Sequence, residues 1–297
     1  MKSISGKTKL IGLLGEPVDH SISPIIQNAA IQEMGLDWCY LAMPCKAKDI
    51  SNVLLALRNL NCQGLNITIP HKNLVAKQCA ALSSISKKIS AVNTLIPTEQ
   101  NGWFGTNTDI EGFIAPLKSK ALTKDKALII GCGGSAKAVA TGLEDLQFKE
   151  ILVTGRNSSK LKYFIEEMKI SFKDSISSGQ NINSIDCSSP DLINVIQESD
   201  LIVNTTPIGM QNLSTKISMP LGEKIWSNLN TKTILYDLIY IPKQTKWLEF
   251  GKKLNCETID GLEMLLNQGA ASLRLWSGEK DIPIETMRNA AKKHLKV

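Results

Sequence analysis

The stretch Lys126 to Gln147, "KALIIGCGGSAKAVATGLEDLQ", restricts the fold more than any other part of the chain. A short apolar run enters Gly131, small residues follow, and apolar residues then recur at helical spacing. A strand that passes through a glycine turn into a helix is the repeating unit of a parallel sheet with helices on its faces. The pattern Gly131-x-Gly133-x-x-Ala136 adds chemistry. The first glycine makes the turn, the second lets backbone approach a pyrophosphate, and the third small residue lets helix pack on strand. The helix N-terminus, with Gly134 and Ser135 in its first turn, then faces the phosphates. The second strand, "KEILVTGRN", follows at the distance such a unit requires. The stretch therefore predicts a dinucleotide site rather than a bare strand–helix turn.

The residues after that second strand select the cofactor. NAD sites usually place Asp or Glu there for the ribose 2′-hydroxyl, and NADP sites place Arg. This chain has Gly155 and Arg156 and no acid. An arginine can grip a 2′-phosphate with its fork of N–H donors, and Lys160 adds a second positive charge. NADP is the expected cofactor.

At 297 residues the chain is long enough for two domains. No apolar stretch approaches the roughly 20 residues needed to cross a bilayer, so no membrane span is expected. The apolar part of the N-terminus is too short for a signal peptide. The net charge of +6 is spread over scattered lysines and aromatics are only 5%, which argues against a nucleic-acid partner. The seven cysteines form no CxxC pair. Reduced thiols in a cytoplasmic protein, with no metal site, are expected.

Along the chain, "LIGLL", "WCYLAMP" and "GLNITIP" read as strands. "SPIIQNAAIQEMG" and "KDISNVLLALRNLN" read as helices between them. Ser23 is expected as the first N-cap, with Pro24 at the first helical position and Gly35 as the stop. This alternation predicts an N-terminal α/β domain with a mostly parallel sheet. A Rossmann-type domain follows, with further buried strands at "SDLIVNTTP" and "KTILYDLIY". Residues 171–190, rich in Ser and Asn, are expected as a loop-rich crossover with one or two short strands. Two helices, from Gly261 to Trp276 and from about Pro283 to Lys296, end the chain.

Reducing a ketone with a nicotinamide cofactor requires a proton donor beside the carbonyl oxygen. Lys72 in "NITIPHKNLVAK" is a candidate, since it leaves a strand end stiffened by Pro70. "HSISP", "SAVNTL" and "GTNTDIEG" also place hydroxyls, amides or a carboxylate at element ends, where ligands of α/β folds sit. Each has a plainer reading: Ser23 as an N-cap, Asn93 in a turn, Asp109 capping a helix.

Taken together, "EPVDHSISP", "NITIPHK", "AVNT", "NGWFGTNTDIEG", "NTTPIGM" and "DGLEMLLNQG" resemble the shikimate dehydrogenase family, in family order and over nearly the whole chain. The resemblance implies NADPH-dependent reduction of 3-dehydroshikimate to shikimate, in aromatic amino acid biosynthesis. It implies a substrate domain of residues 1–108, completed by helices in 261–297, and a Rossmann domain of 109–260, with the active site in the cleft between them. Lys72 and Asp109 match the catalytic pair. Ser21 and Ser23 match the binders of the substrate carboxylate, with Tyr240 near it. Thr68, Asn93 and Gln268 match groups that hold the ring hydroxyls. Beside the glycine turn and Arg156, Thr205 and Gly261 are expected at the cofactor. The alternative is a dual quinate/shikimate dehydrogenase using NAD or NADP. A homodimer is allowed for. The chain departs from the family at Gly155, where an asparagine is usual, and at "YIPKQT", where "YNPxxT" is usual.

Overall fold

The computed structural model describes residues 4–210 and 218–296. The chain divides into two units, Met1–Gly112 with Leu265–Val297 and Phe113–Met264, each with its own sheet. The expected break at 108/109 therefore falls four residues later. Both breaks lie inside helices, where apolar periodicity runs on and no turn residue marks a boundary.

The first unit is built on β1 (Lys9–Gly15), β2 (Trp38–Pro44), β3 (Gly64–Ile67), β4 (Ala81–Leu82), β5 (Thr94–Pro97) and β6 (Trp103–Thr106). Their order is β2-β1-β3-β5-β6-β4. β1 pairs in parallel with β2 and β3, and β4 with β6, while β5 runs antiparallel to both β3 and β6. Helices α1 (Ser23–Glu33), α2 (Ile50–Asn59), α3 (Lys72–Ala76), α4 (Ser84–Ile89) and α5 (Asp109–Ile114) connect the strands. The central strands carry near-continuous apolar runs because both faces are covered; Ile11, Leu14 and Leu65 are fully buried.

Register decides what this sheet can display. Asn66, near the end of β3, pairs with Thr94 at the start of β5, and Thr94 pairs with Thr106 at the end of β6. The antiparallel turn of β5 thus brings its beginning to the same edge as the ends of β3 and β6. The exit of β1 reaches that edge too, since Glu16 donates its backbone N–H to the Ile69 carbonyl at 3.0 Å. Asn93, Asp109 and the segment 68–72 consequently share one rim.

Two local expectations are corrected. The N-cap of α1 is Ile22, and Ser23 is the first helical residue. The Ser21 hydroxyl accepts from the Ser23 amide at 3.2 Å, so the cap-like role moves back two residues and leaves the Ser23 hydroxyl for other partners. The strand expected at "GLNITIP" ends at Ile67. Beyond it Ile69 is 68% exposed, and the His71 amide donates to the Thr68 carbonyl at 2.9 Å to close a turn.

The second unit holds β7 (Lys126–Ile130), β8 (Glu150–Thr154), β9 (Asn181–Ser184), β10 (Leu201–Asn204), β11 (Ile234–Asp237) and β12 (Glu257–Ile259). The order is β12-β11-β10-β7-β8-β9, and every pairing is parallel. This is the doubly wound Rossmann order, with its reversal beside β7. Helices α6 (Gly134–Asp145), α7 (Ser158–Ser171), α8 (Lys173–Ser177), α9 (Leu192–Glu198) and α10 (Lys246–Lys253) cover the faces. Residues 171–190 are less loop-rich than expected: they hold α8 and a single short strand, β9. Helices α11 (Gly261–Ser277) and α12 (Ile284–Leu295) follow, and α12 packs against α1 in the first unit.

Gly64 shows how tightly the first sheet meets α11. A Cβ at Gly64 would lie 2.2 Å from the Trp276 indole nitrogen. That nitrogen donates to the Leu95 carbonyl at 2.9 Å, so the ring cannot withdraw without breaking the bond. Gly64→Ala is expected to cost about 1–3 kcal/mol, the usual cost of overpacking, read as a lowered urea midpoint with an unchanged slope.

Candidate active site

The rim of the first sheet gathers a lysine, a carboxylate and a carboxamide. Lys72 opens α3, a short helix with no side-chain N-cap. Its ammonium is paired with Asp109 Oδ2, and the two side chains are only 16% and 8% exposed. Asp109 opens α5 but does not cap it. Asn107 Oδ1 accepts from the Asp109 amide at 2.9 Å, which frees the Asp109 carboxylate. Its Oδ1 accepts from Asn93 Nδ2 at 2.8 Å. The capping reading of Asp109 and the turn reading of Asn93 therefore give way to one hydrogen-bonded set.

The orientation of Asn93 is fixed by an unambiguous donor. The Thr108 backbone amide lies 2.8 Å from Asn93 Oδ1, so that atom must be the carbonyl oxygen. The nitrogen then faces Asp109 and, at 3.4 Å, Gln268 Oε1. Gln268 stands on α11, near the point where that helix enters the first unit. Beside Lys72, the buried His71 ring meets the Cys45 carbonyl through Nε2 at 2.6 Å, which pins the start of α3. Thr68 is half-buried just after β3. Ser21 is half-buried and Ser23 buried at the start of α1.

The second unit carries its own cavity, of about 820 Å³, at the ends of β7, β8 and β10. Gly131, Cys132 and Gly133 line one side. Gly131 has φ +112°, a conformation that favours glycine. A Cβ added at Gly133 or Gly134 would meet nothing within 4 Å, so the turn opens onto free space. Helix α6 has no side-chain N-cap, which leaves its first N–H groups for a ligand. Gly155, Arg156 and Lys160 line the other side, with Arg156 and Lys160 exposed at the rim. Burial pushes the Cys132 thiol up, while the charge of Lys160 pulls it down, so the field of Lys160 reaches the turn. An open glycine turn, an uncapped helix and a basic end suit the phosphates of a dinucleotide.

The other expected cofactor residues differ in how they stand to this cavity. Ala136 is fully buried in the core beneath the turn, as the packing role of that position requires. Gly134 and Ser135 lie in the first turn of α6 outside the cavity lining. Thr205 lines the cavity and donates its hydroxyl to the Ile130 carbonyl at 2.9 Å. Gly261 is buried away from that lining. A Cβ there would lie 2.1 Å from the Leu238 carbonyl oxygen, so this glycine permits close approach of α11 to the exit of β11. Tyr240 is half-buried in the loop after β11, and burial raises its phenol.

A buried carboxyl that sequence reading missed fixes two of these loops. Asp237, at the end of β11, is fully buried and accepts from Asn204 Nδ2 at 2.9 Å, Thr245 Oγ1 at 2.8 Å and the Ile239 amide at 3.2 Å. Asn204 Oδ1 in turn accepts from the Thr206 amide and hydroxyl, which shapes the cavity wall at Thr205–Ile208. The signal was "YDLIY", one acid inside an apolar run.

A cavity suited to a dinucleotide and a buried lysine–carboxylate pair beside carboxamides are features that a nicotinamide-dependent oxidoreductase requires. Comparison with known proteins makes the class specific. A model described as the shikimate dehydrogenase substrate binding domain matches residues 13–95, and one described as the shikimate 5′-dehydrogenase C-terminal domain matches residues 261–292. A shikimate dehydrogenase (NADP(+)) of Prochlorococcus marinus (strain MIT 9215) is 46% identical over 293 residues, covering 98% of this chain and all of that protein. A crystal structure of a shikimate dehydrogenase in complex with NADP+ superposes with a TM-score of 0.86 at 32% identity, covering 99% of this chain and 98% of the other. The shikimate 5-dehydrogenase of Listeria monocytogenes, solved with shikimate and NAD, gives 0.85 at 28% identity, with 98% and 99% covered. The chain belongs to the shikimate dehydrogenase family, and it is an NADP-dependent oxidoreductase.

Asp237 gives this unit a pH signature. Burial raises its carboxyl from 3.8 to about 7, against the pull of Thr245, Ile239 and Asn204. The folded chain therefore holds a proton that the unfolded chain has lost, and stability falls as pH rises between those two values. The unfolding free energy of the native enzyme minus that of Asp237→Asn should decline from about pH 4 to about pH 7, at up to about 1.4 kcal/mol per pH unit, and then level off. Urea unfolding across pH 4–9 reads the slope, and a flat difference contradicts it.

Proposed function

We propose that Lys72 and Asp109 move the proton in the interconversion of 3-dehydroshikimate and shikimate that this enzyme catalyses with NADP. The observation that carries this reading is the buried pair itself, with its carboxylate braced by Asn93. Reducing the ketone adds a hydride to carbon and a proton to oxygen. Bound NADPH supplies the hydride. Lys72 holds a proton at the carbonyl oxygen and releases it as negative charge develops there; Asp109 keeps the side chain aimed, and its negative charge favours the return of a proton from solvent to Lys72 before the next turnover. In the reverse direction the pair takes the hydroxyl proton.

The remaining roles follow the family resemblance and suit the positions described. Ser21 and Ser23 offer hydroxyls to the substrate carboxylate, with Tyr240 as a further contact. Thr68, Asn93 and Gln268 hold ring hydroxyls. In the cofactor cavity Gly131, Gly133 and the start of α6 take the pyrophosphate, and Thr205 shapes the opposite wall. Arg156 and Lys160 take the 2′-phosphate. The same proposal places the enzyme in the cytoplasm, in keeping with cysteines spread singly along the chain, and leaves room for a homodimer, which light scattering tests.

Lys72→Ala should lower kcat by at least about 10²-fold, as expected for loss of a general acid–base group, with the circular dichroism unchanged. Near-normal turnover would remove Lys72 from the mechanism.

Cofactor choice is tested separately. An arginine meets a 2′-phosphate with paired, charge-assisted bonds, whereas NAD offers only a hydroxyl. Arg156→Ala should weaken NADP by about 10- to 150-fold and barely change NAD. Because Arg156 is exposed at the rim, the native preference should also shrink with added salt. Equal loss of both cofactors would place the 2′-phosphate elsewhere.

A further inference from the structure

Behind the Asn93–Asp109–Lys72 set lies a buried polar layer to which no role has yet been given. Thr94 and Ser272 are fully buried, and Thr108 and Asn66 nearly so. The three hydroxyls form a closed cluster: Ser272 Oγ lies 2.9 Å from Thr94 Oγ1 and 3.2 Å from Thr108 Oγ1, which are 3.3 Å apart. Two of them also touch the Asn93 carboxamide, Thr94 Oγ1 donating to Oδ1 at 2.8 Å and Thr108 Oγ1 lying 3.2 Å from it.

The donors of this layer run in one direction. Asn66 Nδ2 faces the Asn93 backbone carbonyl at 3.2 Å, an acceptor only, which fixes that amide's orientation. Its oxygen therefore accepts the Tyr40 phenol proton, at 2.8 Å, and its nitrogen donates to Ser272 Oγ at 2.9 Å and Thr94 Oγ1 at 3.3 Å. Thr94 passes a proton on to Asn93 Oδ1, and Asn93 Nδ2 donates to Asp109. Hydrogen bonds aligned in this way polarise one another in a low-dielectric interior. Ser272 sits at the branch point. It accepts from Asn66, and its single proton is shared between Thr94 Oγ1 at 2.9 Å, whose own proton goes to Asn93, and the Gln268 carbonyl at 3.0 Å, one turn earlier on α11. A single hydroxyl thus ties the helix that carries Gln268 to Thr94 at the start of β5 and Thr108 just after β6, the immediate chain neighbours of Asn93 and Asp109.

We propose that Ser272 is a positioning residue of the reaction. It fixes the direction of this buried chain, and through Thr94 and Thr108 it sets the Asn93 carboxamide and the Asp109 carboxylate that pairs with Lys72. The proposal rests on the assignment of Asn93, Asp109 and Lys72 to the reacting site.

The test is a double-mutant cycle of Ser272→Ala and Asn93→Ala, read by steady-state oxidation of shikimate with NADP+ and by urea unfolding. Ser272→Ala should lower kcat about tenfold, a loss the size of one well-placed hydrogen bond. KM for NADP+ should stay within about twofold. In the Asn93→Ala background the same change should have almost no further effect on kcat, because residues that act through one another are not additive. A role confined to stability would shift the urea midpoint but leave kcat of the folded fraction intact. If Ser272→Ala does not fold, Ser272→Cys, with its weaker donor and acceptor, is read in the same cycle. At least a threefold loss of kcat is then expected, and it should vanish with Asn93→Ala. Wild-type kcat in the serine variant, or losses that multiply across the cycle, overturn the proposal. Full activity in both Asn93→Ala and Lys72→Ala would instead overturn the site assignment beneath it.

Discussion

The Thr108 backbone amide, 2.8 Å from Asn93 Oδ1, is the constraint on which the arrangement of the first unit's buried lysine–carboxylate pair depends. A carboxamide can turn over without changing its shape, and turned over it would present oxygen to a carboxylate. One fixed N–H donor forbids that. It forces Asn93 Nδ2 toward Asp109 and so leaves the other carboxylate oxygen for Lys72. Thr108 occupies this place because β6 ends beside the start of β5, a register set by the antiparallel pairing of those strands. The mixed sheet is thus the means by which residues 93 and 109 meet.

Burying so many polar groups is costly unless each finds a partner. The hydroxyl and amide layer from Tyr40 to Asn93 meets that condition almost entirely with its own members. A carboxylate braced by such a layer is held in one orientation toward its lysine partner. The second unit solves a comparable problem differently. Asp237 is fully buried, its carboxyl raised to about 7, and three neutral donors hold it. There the polar cluster shapes loops, and the cavity of that unit inherits its wall from Asn204 and Thr206.

The glycine turn carried its meaning in the sequence because its requirements are local. A positive φ at Gly131, free space at Gly133 and close packing at Ala136 are each demanded of single residues next to each other in the chain. The all-parallel order of the second sheet followed from alternation of apolar strands and helices. Lys72 and Asp109 were singled out through family resemblance rather than through spacing, and the fold pairs their side chains although they lie 37 residues apart on different elements. Gly261 was read as a cofactor residue, but its physical demand is the Leu238 carbonyl, a contact that chain order does not reveal.

What lay in the chain alone was the class of fold and the glycine turn with its basic end. Those depend on local backbone preference, on periodicity and on charge. The antiparallel excursion of β5, the uncapped Ser23 and the layer joining Asn66, Thr94, Thr108 and Ser272 emerged only from the folded chain. Ser272 lies 206 residues from Asn66 and 178 from Thr94. No local propensity connects such positions, because hydrogen bonds between buried side chains are decided by register and helix docking, and these form only when the whole core is in place.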